Sequence, residues 1–239
     1  MSLPHPRTAR RAVTAREKEL RRRFAVRAEV FTHGGLRLRL LLPRAADELI
    51  DEAAFEHDER LPYWADLWPS ARALARRLLD APLPDGRALE LGCGVGLPSL
   101  ALLSRGYPDV LATDYYGDAL DFARANAERN RLPPLATALL DWRDPPPALG
   151  RFALVYAADV LYEARYAGIL PALLPRLLAP DGAVLLTDPG RAYLAPFRER
   201  MRALGWRLNE RRLREPHAAA PRGAVEIHLL HLRPPPDTG

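Results

Sequence analysis

The sequence predicts an α/β fold: a doubly wound, mostly parallel seven-stranded sheet with helices on both faces, preceded by an N-terminal hairpin and helical extension. Two observations predict it. From residue 88 onward, short apolar runs alternate with helical stretches, the spacing of strand–helix–strand units that bury a parallel sheet between helices. The first of these runs ends in Glu90-Leu91-Gly92-Cys93-Gly94-Val95-Gly96, a glycine-rich turn of the kind that joins a strand to a helix where the backbone must approach a ligand.

Taken in order, residues 1–27 carry nine basic side chains (Arg7, Arg10, Arg11, Arg16, Lys18, Arg21, Arg22, Arg23 and Arg27) against Glu17 and Glu19, a balance of +7. The whole chain is +5, so the remaining residues are near neutral at −2. Ala9, Val13, Leu20 and Phe24 give this basic extension a weak apolar stripe. It reads either as a solvated helix or as an arm that docks on an acidic protein or on RNA phosphates. Phe24 is the only aromatic residue among its arginines, so a base-stacking surface is poorly supported and nucleic acid is not the expected partner.

Val26 to Val30 and Leu36 to Leu42 alternate apolar and polar residues around His33-Gly34-Gly35, which predicts a hairpin. An acidic connection runs from Asp47 to Arg60. Tyr63 to Leu79 leads into a helix, with Pro69 suited to its first turn and Leu74, Leu78 and Leu79 on one face. Strands are expected at Ala88–Leu91, Val110–Thr113, Ala136–Leu140, Phe152–Ala157 and Ala183–Thr187, with helices near Ala119–Asn130 and Tyr166–Leu178. Trp206–Arg212 and Val225–Leu232 predict a closing antiparallel pair, joined by a basic loop from Arg214 to Arg222. The domain boundaries expected are therefore 1–27 for the extension, 28–233 for the folded domain and 234–239 for a disordered or polyproline-like tail.

Composition narrows the class. A chain of 239 residues can bury one sizeable core. The uncharged run Leu91–Ser104 is shorter than the roughly 18 residues that cross a bilayer, so no membrane span is expected. The N-terminus lacks the apolar segment of a secretory signal. Cys93 is the single cysteine, which excludes an internal disulfide or a cysteine-based zinc cluster. No metal site is expected, and the compartment expected is the cytoplasm.

Ligands of open α/β sheets bind at the carboxyl ends of the strands, so the residues there are the candidates. Gly92, Gly94 and Gly96 allow the tight turn, and Glu90 precedes them by two. A dinucleotide fingerprint would need a further glycine at position 97, where the chain has Leu97. Asp114 ends the second parallel strand about 20 residues past the glycines, where a carboxylate accepts from ribose hydroxyls or, alternatively, caps the next helix. Asp141 and Trp142 end the third: a carboxylate for an adenine amino group and an indole to pack on the ring, or a loop acid and a core aromatic. Cys93 sits inside the loop as a small side chain rather than a nucleophile. Asp159-Val160-Leu161-Tyr162 ends the fourth, and Asp188-Pro189-Gly190-Arg191 ends the fifth on the same rim, with Arg191 as either a substrate contact or a surface turn.

Four segments in register carry a resemblance: Leu36-Arg37-Leu38-Arg39-Leu40, then Pro62-Tyr63-Trp64-Ala65-Asp66-Leu67-Trp68, then Glu90 to Gly96, then Asp159 to Tyr162. Together they resemble the class I, seven-strand lysine methyltransferases with a Rossmann-like sheet, and most closely the branch that modifies the beta subunit of electron-transfer flavoprotein. The resemblance implies S-adenosyl-L-methionine (SAM) as methyl donor, with S-adenosyl-L-homocysteine as product. It implies that Trp68, Glu90, Gly92, Cys93, Gly94, Gly96, Asp114, Asp141, Trp142 and Asp159 surround SAM. Asp159 and Tyr162 would flank the acceptor, with Asp159 binding an incoming ammonium. A protein substrate is implied. Two features depart from that branch: Trp68-Pro69-Ser70-Ala71-Arg72 stands where it carries Trp-x-Gly-Gly-Gln, and the arginine-rich N-terminus is outside its pattern. Two other readings stand beside it. One is N-methylation of a small amine or heterocycle, with residues 1–30 as a covering lid. The other is a SAM-binding module without turnover. The Asn-Pro-Pro-Tyr type segment of amino-directed base methyltransferases is absent after the fourth strand.

Overall fold

The computed structural model describes residues 13–46, 49 and 62–235. Arg7, Ala9, Arg10 and Arg11, most of the acidic connection, and the tail from 236 lie outside the described residues. Helix α1 (Ala15–Arg23) starts where the Thr14 side chain accepts from the Glu17 amide at 3.1 Å, occupying a donor that the first helical turn leaves unpaired. A hairpin follows, β1 (Val26–His33) and β2 (Leu36–Pro43), turning at Gly34-Gly35. The boundary drawn between residues 27 and 28 therefore falls inside β1, whose pairing with β2 begins at Val26. A 3₁₀ turn (Tyr63–Ala65) precedes helix α2 (Pro69–Asp80), with Pro69 in its first turn.

The main sheet alternates β3 (Arg87–Leu91), α3 (Leu97–Ser104), β4 (Asp109–Asp114), α4 (Gly117–Arg129), β5 (Ala136–Leu139), β6 (Phe152–Ala158), α5 (Tyr166–Leu177), β7 (Leu178–Asp188), α6 (Leu194–Ala203), β8 (Arg207–Pro216) and β9 (Ala224–Arg233). Its strand order is β5-β4-β3-β6-β7-β9-β8. The first five are parallel, and β9 pairs antiparallel with both β7 and β8. The order reverses between β3 and β6, so a crevice opens where Leu91 and Ala158 end those strands. One apolar core joins α2, α3, α4 and the hairpin to one face; a second joins α5 and α6 to the other. Among the described residues, no helix is long and apolar enough to cross a membrane.

Two strand expectations need correction. β7 begins at Leu178, not Ala183, because α5 passes directly into the strand and a register shift opposite Phe152 absorbs Pro180-Asp181-Gly182. β8 continues to Pro216, so the first third of the expected basic loop is strand: Arg214 lies opposite Glu226, and the buried Glu215 is held by Arg76 through two bonds of 3.0 and 3.1 Å.

Helix α1 is neither a solvated extension nor a free arm. Leu20 is fully buried, and two of the helix's arginines face the acidic flank of α4: Arg16 meets Glu128 at 3.0 Å, Arg23 meets Asp118 and Asp121, and Arg129 of α4 reaches back to the buried Glu17 at 2.6 Å. The exposed pairs contribute little individually; their consequence is that this part of the +7 is spent internally. Asn126 and Asn130 of α4 then complete the open edge of β2. Asn126 exchanges two hydrogen bonds with Leu41 (2.7 and 3.0 Å), Asn130 exchanges two with Arg39 (2.8 and 2.9 Å), and Asn126 also donates to the Val95 carbonyl at 3.0 Å. One asparagine thus ties the hairpin to the glycine loop, satisfying strand-edge groups that would otherwise be unpaired.

Candidate active site

The glycine loop is shaped by protein packing as much as by any ligand. Gly94 has φ 50° and a Cβ there would lie 3.0 Å from the Trp64 carbonyl oxygen; Gly96 has φ 89° and a Cβ would lie 2.9 Å from Ala123 Cβ in α4. Both positions need the left-handed region and the missing side chain. The collisions expected from a side chain here are thus with Trp64 and α4. Gly92 lies against Val160 and the Trp142 ring edge.

Asp114 ends β4 almost fully buried, with Oδ2 accepting from the Gly94 amide at 2.9 Å and Oδ1 from the Tyr116 amide at 3.1 Å. It does not cap α4, which has no side-chain cap. Burial pushes its carboxyl up, partly offset by those amides, and no cation bonds to it among the described residues. A buried carboxylate with spare lone pairs on a cavity wall suits a ligand with neutral hydroxyl donors, such as a ribose diol. Gly92, Gly94, Asp114 and Trp142 line one cavity with Trp68, Asp159 and Tyr162. The residues present therefore fit a SAM nucleoside on the Asp114 side.

Two expected ligand contacts are committed elsewhere. Glu90 borders the cavity but turns its carboxyl to α3, accepting from the Ser99 amide at 3.1 Å and from the Ser99 hydroxyl, which also meets the Tyr156 hydroxyl at 2.7 Å. It satisfies an otherwise unpaired amide in the first turn of α3. Burial, only partly offset by the Ser99 bonds, raises its pKa from 4.5 to about 8. A carboxyl with a raised folded pKa holds its proton more tightly folded than unfolded. Stability should therefore fall as pH rises from 4.5 to about 8, by up to roughly 5 kcal/mol if the shift is fully realised. Thermal melts across this window should show the slope, and Glu90→Gln should flatten it. Asp141 is the second: it lines the cavity, but its carboxylate is gripped by the Arg143 guanidinium at 2.6 and 3.0 Å and accepts from the Arg143 amide at 2.9 Å. Cys93 is buried, and burial pushes its thiol well up, leaving it an inert filler of the loop.

The other end of the cavity is aromatic. Trp68, Tyr63, Tyr162, Tyr166 and Trp142 form an edge-to-face chain with centroid separations of 6.2, 5.0, 5.0 and 5.1 Å. The Trp68 indole donates to the Tyr63 carbonyl at 2.8 Å, which fixes the first ring. Trp68 thus stands at the aromatic end of the cavity, and the backbone of Trp64 lies over the glycine loop. Tyr63 and Tyr166 were missed as site residues, although Tyr63 stands in the Pro-Tyr-Trp-Ala segment and Tyr166 lies four residues beyond Tyr162.

Asp159 closes this channel. It ends β6 with its amide on the Thr187 carbonyl at 2.8 Å, and adopts φ 60°, rare for a residue with a side chain. Its Oδ2 accepts from the Ser70 hydroxyl at 3.3 Å and its Oδ1 from Arg191 Nε. Ser70, which departs from the resembled glycine pair, thus supplies the hydroxyl that holds Asp159, and its carbonyl accepts from Thr187 at 2.9 Å. Burial raises the Asp159 carboxyl; Arg191 and Ser70 oppose that. Arg191 pairs with Asp159 and sets its guanidinium 5.4 Å over the Trp68 ring, so an incoming ammonium meets a carboxylate that already has a cation partner. Arg191 is a site residue, not a surface turn.

Residues 88–182 match the family model described as a methyltransferase domain. The electron transfer flavoprotein beta subunit lysine methyltransferase of Xenopus laevis is 37% identical over 67% of this chain and 65% of its own length; that of Rattus norvegicus is 33% identical over 68% and 65%. The chain thus spans about 65% of the length of these curated relatives. Among solved structures, the precorrin-6y C5,15-methyltransferase of Geobacter metallireducens GS-15 superposes with a TM-score of 0.53 at 14% identity, over 68% of this chain and 86% of that one, which shows the shared fold. Residues 88–182 thus carry a methyltransferase domain, the fold is that of the class I, seven-strand methyltransferases, and the chain is similar to the lysine methyltransferases named for the electron transfer flavoprotein beta subunit.

Proposed function

We propose that this protein is a SAM-dependent N-methyltransferase acting on a lysine side chain of a protein substrate. One observation carries the reading: the buried Asp159 carboxylate stands at the head of an aromatic channel that opens onto the glycine loop and Asp114. An anion at the end of an apolar, electron-rich wall selects a long side chain with a cationic tip. The relatives in which the lysine activity is named match 67% and 68% of this chain.

Bound SAM supplies an electrophilic methyl group with a neutral thioether as leaving group. The chain's own residues then have three tasks. Asp114 and the glycine loop hold the nucleoside end. The rings of Tyr63, Tyr162 and Tyr166 exclude water and align the acceptor, converting an encounter into an oriented approach. Asp159 draws in the ammonium form, but the reacting nitrogen needs a lone pair. Deprotonating a lysine of ordinary pKa at pH 7 costs about 4.6 kcal/mol. The apolar channel lowers that cost by disfavouring the charged form, and the proton leaves to water before the nitrogen bonds to carbon.

Tyr162→Phe should keep acceptor binding within about twofold because the ring wall survives, whereas Tyr162→Ala should weaken it by about 1–2 kcal/mol. Acceptor KM for the two variants checks this.

The small-molecule alternative rested on a lid from residues 1–30. Among the described residues, those from 13 to 46 pack on α4 and the hairpin, and the cavity lining begins at Tyr63. The test is transfer of tritiated methyl from SAM into a cell extract, then separation into protein, nucleic acid and small molecules. Label in a protein band that is lost with Asp159→Asn supports the proposal. Label confined to small molecules replaces it with the alternative, and SAM binding without any transfer replaces both with a non-catalytic module.

A further inference from the structure

Two carboxylates flank the Arg191 guanidinium, and only one of them is using it. Asp159 Oδ1 takes Nε, while the Nη groups make no hydrogen bond within the described residues. Asp188, at the end of β7, is fully buried; its Oδ1 accepts from the Gly190 and Arg191 amides, each at 2.7 Å, and its Oδ2 has no hydrogen-bond partner. A buried carboxylate oxygen without a partner is costly and calls for an explanation. The Asp159 charge acts on Asp188, and both carboxylates act on Arg191. The loop backbone at 190–191 is pinned by Asp188 Oδ1, so a change of partner needs only rotation of the arginine side chain.

We propose that Arg191 is an internal stand-in for the acceptor cation: its guanidinium fills the seat made by Asp159 and the Trp68 ring, and an incoming alkylammonium displaces it toward Asp188 Oδ2. The inference rests on the amine-acceptor reading above and assigns that site its selectivity. Only a cationic acceptor can take the seat without leaving Asp159 buried and unpaired, a penalty that neutral molecules cannot offset. Without an acceptor, the guanidinium keeps the buried Asp159 carboxylate paired. Arg191 is a positioning residue, and Asp188 is its second seat.

The test is titration of n-butylammonium chloride onto the full chain, followed by ligand-observed nuclear magnetic resonance, with n-butanol as the neutral control. Arg191→Gln should bind n-butylammonium at least about tenfold more tightly than wild type, with no gain for n-butanol. Adding Asp159→Asn should abolish the gain. Asp188→Asn keeps the Oδ1 acceptor that pins the loop but removes the second anionic oxygen; it should weaken n-butylammonium binding severalfold in wild type and leave it unchanged in the Arg191→Gln background. A purely structural Arg191 would not produce that background dependence. Equal affinity of wild type and Arg191→Gln overturns the proposal. If Arg191→Gln does not fold, unchanged affinity in Asp188→Asn alone overturns it. The titration needs no methyl transfer, so a failed search for a lysine substrate leaves it readable. Normal lysine methylation with equal butylammonium affinities would sink the stand-in alone.

Discussion

Asp159→Asn should lower kcat/KM for the methyl acceptor by about 10²-fold, chiefly through acceptor KM, while SAM affinity stays within about twofold. Asparagine is the informative replacement. It tolerates the left-handed backbone at φ 60° and keeps an oxygen for the Ser70 hydroxyl, so the strand end survives. What it removes is the negative charge that attracts a cation at the head of the channel. Arg191 loses its ion pair but remains partly exposed to water, so the melting temperature should change by only a few degrees. Asp159→Ala would confuse the result, because alanine at this backbone angle adds roughly 1–2 kcal/mol of strain. Steady-state kinetics with a lysine acceptor, together with SAM calorimetry on the same protein, checks both halves of the expectation.

Gly96→Ala should cost stability and SAM binding together. A methyl group at this position would stand 2.9 Å from Ala123 Cβ and 3.1 Å from its Cα. Neither neighbour is the far end of a flexible side chain, so α4 itself must shift. The strain of φ 89° adds roughly 1–2 kcal/mol and overpacking a further 1–3 kcal/mol. For a domain of this size the sum corresponds to a fall of about 5–15 °C in Tm. The displacement of α4 also reaches the cofactor side. Asn126 on that helix holds the Val95 carbonyl, and Gly94 gives its amide to Asp114. A loss of SAM affinity with no loss in Tm would show that the glycine meets ligand rather than helix. Scanning calorimetry with and without SAM separates the two cases.

The fold was legible because its signals are local. Each parallel strand is an apolar run bounded by turn residues, and Pro69 and Gly34-Gly35 mark a helix start and a hairpin turn as their backbone chemistry requires. The misread elements are those in which local signals mislead. Pro180-Asp181-Gly182 looks like a turn but is carried within β7. The arginines of β8 hide an edge strand whose outer face is solvated. For α1, the run of positive charge could be counted in the sequence, but its acidic partners lie about a hundred positions away on α4.

The site was legible in position but not in direction. Strand ends named Asp114, Asp141, Asp159 and Tyr162, and the structure brings all four to one cavity. Which way a carboxylate faces depends on partners that the sequence does not place beside it. Ser99 takes Glu90, Arg143 takes Asp141, and Arg191, 32 residues downstream, takes Asp159. The aromatic channel is likewise assembled from the 3₁₀ turn at Tyr63 and the start of α5, two segments far apart in the chain.

The most direct test of the central claim is to incubate the purified chain with tritiated SAM and the labelled protein acceptor from an extract, then hydrolyse the product and identify the modified amino acid. Label recovered as methylated lysine, and strongly reduced at limiting acceptor when Asp159→Asn replaces wild type, is the result predicted. Label recovered on arginine, histidine or a terminal carboxyl group, or label that persists undiminished with Asp159→Asn, would contradict it.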